Sequence, residues 1–412
     1  MHKSNSTMDT ADRKTGSEWT DKASSLRSPG YRPSREIEAA ISWSRRQFLR
    51  GVSGGAAAAA LSGFSPLRAS GVANAQKVVV VTFGGGTRDE ETFQPDGLEN
   101  IPCLLKEFIP QGTIFTQVVN RGILGHYVAT ASLVTGVYET FNNFAAVKPD
   151  NPTVFEYFRK QRRRPASDTW VVAPSNGFGL IGESNHSSHG AGSGAGVILP
   201  KKLLAAAIPS DSGSDYDHLL LDNYESPVYA PTLAVNDEQL HQMAQMLKLS
   251  VADFTAHARS LRSPDELSVY IAKRLMQQLA PSLLWVTLHD IDVAHAGTYS
   301  LYLDGIQRSD RLCSELWQEI EKLPEYAGKT TMFILPDFGR DADESAGGNG
   351  FQHHRTGDAY SRTTWMIARG PSVREGLIVD RSVESTDLVP TLGAFLGFSA
   401  DLSRGKALKE LL

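Results

Sequence analysis

Cysteine is almost missing. With only Cys103 and Cys313 in 412 residues, no disulfide framework can hold the fold, and a packed core must do so. One bridge between the two, or two half-buried thiols, are both open. Net charge is also small, −5 at pH 7, so neither nucleic acid nor an acidic membrane surface is indicated as a partner. The weakly apolar run from Gly51 to Phe64 is too short and too glycine-rich to span a bilayer. No internal repeat is visible. What remains is a chain long enough for one large α/β domain once a leader is set aside.

Residues 1–43 are polar, without a sustained apolar period, which predicts disorder. Ser44-Arg45-Arg46-Gln47-Phe48-Leu49-Arg50 follows, then the Gly51–Phe64 run, then Ala73-Asn74-Ala75. Paired arginines, an apolar stretch and a small-residue cleavage site, in that order, closely resemble a twin-arginine signal peptide. The alternative is a short alanine-rich helix at the edge of the fold. The resemblance implies cleavage before Gln76, a periplasmic or otherwise exported location, and the twin-arginine export machinery as partner. It divides the chain into a leader, 1–75, and one domain, 76–412, with no transmembrane segment in the mature part.

The mature chain opens on KVVVVTFGGGTR, residues 77–88. A continuous β-branched run ending in three glycines predicts a strand buried on both faces and a tight loop at its carboxyl end, where ligands gather in open α/β sheets. Further strands are predicted at 113–119, 169–173, 283–288, 330–335 and 363–368. Helices are predicted at 100–108, 129–135, 152–164, 232–261, 263–279, 300–323 and 387–396. Ser263-Pro264-Asp265-Glu266 has the form of a capping box. Strands alternating with helices predict a central, mostly parallel sheet with helices on both faces. The segment 175–196, rich in Gly, Ser and His, reads as a long loop whose His186 and His189 either reach over a site or are incidental.

Three predicted strands run into loops full of ligating side chains: His289-Asp290-Ile291-Asp292-Val293-Ala294-His295, then Pro336-Asp337-Phe338-Gly339-Arg340-Asp341, and beyond them His353-His354. Carboxylates and imidazoles from separated segments are what a divalent cation with an open coordination position needs. Arg340 and Arg355 either clamp an oxyanion or pair with Asp341 and Asp358.

Together with Gly125–Gly136, ending Leu-x-Thr-Gly, and Asp387-Leu388-Val389-Pro390-Thr391, these loops resemble the alkaline phosphatase superfamily, which includes sulfatases and nucleotide pyrophosphatases. The resemblance runs through most of residues 76–412 and implies an alkaline-phosphatase-like α/β sandwich. It implies a hydrolase of phosphate or sulfate esters acting on a small anionic ester or glycan-like substrate. Carried over residue by residue, one metal site falls on Asp292, His295 and either His353 or His354, with Asp337 as a further ligand and Asp290 as a substitute for Asp292. The ion would be Zn, Mn, Mg or Ca.

The second site departs from the family. Its first-strand Asp falls on Gly84, its His on Phe338, and its nucleophile on His126, nine residues before Thr135. One ion rather than two is therefore implied, activating water for direct attack on an ester. His126 would be a general base, a cation facing phosphate or an added ligand; the plain alternative is a satisfied buried histidine. Loss of the nucleophile also leaves open a catalytically inactive envelope protein that binds its ligand on the same fold.

Overall fold

Eight strands form one sheet: β1 Lys77–Phe83, β2 Gly112–Val119, β3 Thr169–Val172, β4 Gly196–Ile198, β5 Leu283–Leu288, β6 Thr330–Pro336, β7 Thr363–Arg369 and β8 Leu377–Glu384. Their spatial order is β4-β3-β5-β1-β6-β7-β2-β8. Five of the seven pairings are parallel, and β7 runs antiparallel to both its neighbours. The computed structural model describes residues 77–144, 147–208, 214–220 and 237–412. The predicted leader, its cleavage site and the start of the 232–261 helix lie outside the described residues.

The first strand is central because both of its faces are apolar. Val79, Val81 and Phe83 enter one core cluster, Val78 and Val80 the other, and each valine is fully buried. At roughly 1.5–3 kcal/mol for each buried aliphatic side chain, such a strand is stable only between two helical layers. One layer contains α1 (His126–Thr135), α2 (Val154–Arg162) and α6 (Leu388–Leu396). The other contains α3 (Pro200–Ala207), α4 (Pro264–Leu279) and α5 (Tyr299–Lys322). This is the α/β sandwich that the resemblance implies. Among the described residues no helix is long and apolar enough to cross a membrane.

Several predicted elements change form for tertiary reasons. The 100–108 helix is a 3-10 turn, Pro95–Asn100, followed by a π-helical turn, Leu104–Phe108, because Asp310 on α5 accepts from the amides of Cys103 and Leu104 at 2.8 and 2.7 Å. Cys103 and Cys313 are both free thiols. The 232–261 segment is two helices in its described part, Asp237–Met246 and Val251–Ala258. At α4, Ser263 accepts from the Glu266 amide as predicted, but the Glu266 carboxylate accepts from Arg262 rather than closing the box on Ser263. Edge strands β4 and β8 are additions to the predicted set. β8, LIVDRSVE, is half-exposed and too polar to announce itself.

The basic end of α2 does more than face solvent. Arg159 and Lys160 donate to the carbonyls of Gly192 and Ser188, pinning the Gly/Ser/His loop against the helix. His189 stacks edge-on to Tyr157 at 5.8 Å, so this histidine is held beside α2.

Candidate functional site

Gly84–Gly86 after β1, Asp290 and Asp292 after β5 and Asp337 after β6 set the site's floor. Gly85 has φ +125, and a Cβ there would lie 2.8 Å from the Asp292 amide. Only glycine lets the β1 loop come this close to the loop after β5. That second loop, Asp290–Ala296, is a 3-10 turn. Its entry is fixed from α4, where buried Asp265 accepts from His289 N at 2.7 Å and Asp290 N at 2.8 Å. Asp290 itself is taken up by Arg308 at 2.8 Å.

Onto this floor fold His126, Asp292, His295 and His354, which offer ligand atoms within 4.8 Å of one another. His295 Nε2 lies 2.8 Å from His354 Nε2 and 3.2 Å from Asp292 Oδ1. His354 is oriented by its other nitrogen, Nδ1, which donates to the Leu124 carbonyl at 2.8 Å. That bond fixes the tautomer and aims Nε2 into the cluster, as metal-binding imidazoles require. Burial, helped by the charges of His126 and Arg340, lowers His354 to about 2, so the ring stays neutral. His353 is exposed and outside the cluster, with its carbonyl accepting from the Asp341 amide.

His126 is the first residue of α1, and its ring is completely buried. The helix start is satisfied from a distance by Asn143 Oδ1, which accepts from Tyr127 N and Val128 N at 3.0 and 3.3 Å. Nδ1 of His126 lies 2.6 Å from Asp337 Oδ2, and Nε2 lies 3.0 Å from Asp292 Oδ1. Phe338 stacks on the ring at 4.8 Å and His289 meets it edge-on at 5.1 Å. Burial opposes a charge on His126, but Asp292 and Asp337 more than offset it and raise the imidazole to about 9. Burial also opposes ionisation of Asp292, yet His126 and His295 hold its carboxyl well below the usual range. Burial keeps Asp337 above that range despite His126.

Arg340 is the second cation of the site. Fully buried, it donates to Asp292 Oδ1 at 3.0 Å and to the Phe351 carbonyl at 2.9 Å, and stands over the Tyr302 ring at 5.6 Å. Arg355 pairs instead with buried Asp341. Arg340, expected either to clamp an oxyanion or to pair with Asp341 or Asp358, pairs with Asp292; His289 and Asp265 are site residues to which sequence reading gave no role. The signal available was position alone: His289 directly follows the apolar run 283–288.

Two cavities adjoin these loops. The one bordered by His289, Asp290 and Asp292 has a volume of about 150 Å³. A larger one of about 470 Å³ lies beyond the β1 loop, lined by Thr87, Asp89, Glu90 and Tyr360 among others. It shares only Arg340 with the site and none of the four clustered ligands, so the smaller cavity is the one beside the chemistry.

No protein-family model matches this chain, and no curated protein matches it. Solved structures that it resembles include members of the alkaline phosphatase superfamily. Wild-type alkaline phosphatase PafA is 10% identical, with a TM-score of 0.49 over 83% of this chain and 99% of that one. A protein in the alkaline phosphatase superfamily from Vibrio parahaemolyticus is 13% identical, with a TM-score of 0.48 over 89% and 78%. The PsFucS1 sulfatase from Pseudoalteromonas sp. is 12% identical, with a TM-score of 0.46 over 92% and 75%. At such values, what this chain does rests on its own residues.

Proposed function

We propose that this chain is an exported hydrolase of phosphate or sulfate esters whose active site holds one divalent metal ion through Asp292, His295 and His354. The observation that carries the reading is the convergence of these side chains, from segments about sixty residues apart, onto one point at the carboxyl ends of the sheet strands. The donor set fits. A tetrahedral ion with bonds of about 2.0–2.1 Å spaces its ligand atoms about 3.3 Å apart. His295 Nε2 stands 3.2 Å from Asp292 Oδ1 and 2.8 Å from His354 Nε2, so a small opening suffices. When bound, such an ion supplies Lewis-acid polarisation of the ester oxygen and lowers the pKa of water.

The chain's own residues do the rest. His126, with each nitrogen facing a carboxylate, has no lone pair free to accept a proton, which favours a fixed cation over a general base. Asp337 holds that ring from behind and is thereby a positioning residue rather than a ligand. Arg340 locks Asp292 to the loop that carries Phe351. Export is supported by Arg45-Arg46 and Ala73-Asn74-Ala75.

One observation favours a second reading, a binding protein without turnover. His126 and Arg340 already balance Asp292 and Asp337, so the centre is close to neutral without an ion. Metal analysis of the purified protein, alongside turnover of p-nitrophenyl phosphate and p-nitrophenyl sulfate, separates the two. The hydrolase reading expects one equivalent of metal, activity abolished by chelator, and loss of metal in His295→Ala. A native-state ion at a hundredfold excess over its Kd adds about 2.7 kcal/mol, so chelator should also lower the melting temperature. A metal-free protein inactive on both esters sinks it.

A further inference from the structure

Buried Asp341 lies in the loop after β6 and is not one of the four clustered ligands, yet it holds the chain on both sides of His354. Its amide donates to the His353 carbonyl at 2.9 Å, and its Oδ1 accepts from the Arg355 amide at 2.7 Å. Oδ2 takes the Arg355 guanidinium, and Oδ1 also accepts from the buried Ser361 hydroxyl, so the carboxylate is fixed from two further directions. The Asp341 carbonyl accepts from Arg88 at 3.4 Å, which ties this residue to the β1 loop.

His353 has extended backbone, φ −129 and ψ 153, and along such backbone successive side chains point to opposite faces. Fastening the His353 carbonyl and the Arg355 amide to Asp341 therefore sends those two side chains to solvent, where both are exposed, and His354 to the other face. There its Nδ1 meets the Leu124 carbonyl at 2.8 Å and its Nε2 stands 2.8 Å from His295 Nε2. A slip of one residue would exchange the two histidines. We infer that Asp341 is a positioning residue of the metal centre: it sets the register that presents His354 as a ligand and keeps His353 out. The inference rests on the one-metal reading of the site and deepens it. Asp341 acts through the main chain beside a ligand, and outer partners that orient a ligand are worth about 10–100-fold in metal affinity.

Zinc binding to the purified protein tests this in two ways: affinity by competition with a chromophoric chelator, and histidine accessibility by mass-spectrometric mapping of diethyl pyrocarbonate modification at saturating zinc. In wild type, zinc should protect His295 and His354 and leave exposed His353 reactive. Asp341→Asn, which sets a side-chain amide against the Arg355 amide and guanidinium, should weaken zinc at least about tenfold. Protection should then be lost at His354 and kept at His295. Arg355→Pro removes the bracketing amide at a residue whose side chain is exposed, and it should give the same pattern even if Asp341→Asn does not fold. A merely structural Asp341 would move both histidines together or neither. Unchanged zinc affinity, protection that stays at His354, or protection lost at His295 and His354 alike overturns the inference and leaves the one-metal reading standing. A wild-type protein that binds no zinc removes that reading and this inference with it.

Discussion

His126 Nδ1 and Asp337 Oδ2 lie 2.6 Å apart in complete burial, though 211 residues separate them along the chain. With Asp292 on its other nitrogen, His126 is held charged to about pH 9 instead of the ordinary 6.5. A raised folded pKa stabilises fully below the unfolded value and is lost as pH rises through the folded one. The urea midpoint of wild type should therefore fall between pH 6.5 and about 9, while that of His126→Gln stays level over the same window. Parallel curves for the two proteins would refute a charged His126.

The acid limb has a different origin. Burial holds His289 and His354 neutral, at about 3 and about 2, although Asp292 pulls both the other way. A depressed folded pKa gives stability that is present above the unfolded value and lost as pH falls through the folded one. Stability should thus decline from pH 6.5 toward 3, and His289→Phe should flatten part of that decline. An unchanged acid limb in His289→Phe would show that this ring is not responsible.

Asp265 should matter more than its distance from the cluster suggests. Asp265→Ala leaves the buried amides of His289 and Asp290 without their acceptor. At about 1–3 kcal/mol for each of the two orphaned donors, the loss should be about 2–6 kcal/mol in chemical denaturation. Metal affinity should fall with it, because the loop bearing Asp292 and His295 loses its anchor. A variant as stable as wild type would mean the loop is held elsewhere.

Restoring the family's first-strand acid should not be simple. A Cβ on Gly84 would stand 3.0 Å from His289 Cδ2, 3.0 Å from the Leu288 carbonyl and 3.2 Å from Thr287 Cγ2. Gly84→Asp should cost about 1–3 kcal/mol, as overpacking does. Adding His289→Ala should recover part of this, since it removes one of the three contacts. A fully stable Gly84→Asp protein that binds a second metal would contradict the crowding described here.

Export is checked at the leader. With Arg45→Lys and Arg46→Lys together, precursor should accumulate in the cytoplasm. Mature protein beginning at Gln76 and still reaching the envelope would rule out the twin-arginine route.

The sheet was largely determined by sequence. Val78–Val81, Leu283–Leu288 and Thr330–Leu335 are apolar on both faces, and a strand of that kind has no stable place except mid-sheet between helices. Asp292 and His295 were legible for a related reason, since ligating residues directly following such a strand must collect at one end of the sheet. Tertiary structure alone decided the rest. Nothing in the spacing of His126, Asp337 and Arg340 says that an imidazole stands between two carboxylates while a guanidinium closes on one of them. Nor does it say that His354 rather than His353 turns inward. Those outcomes depend on burial, which removes water as the competing partner and makes each buried charge find another protein group. Which group it finds is set by how the loops pack, to within tenths of an ångström, and that information is spread over the whole fold.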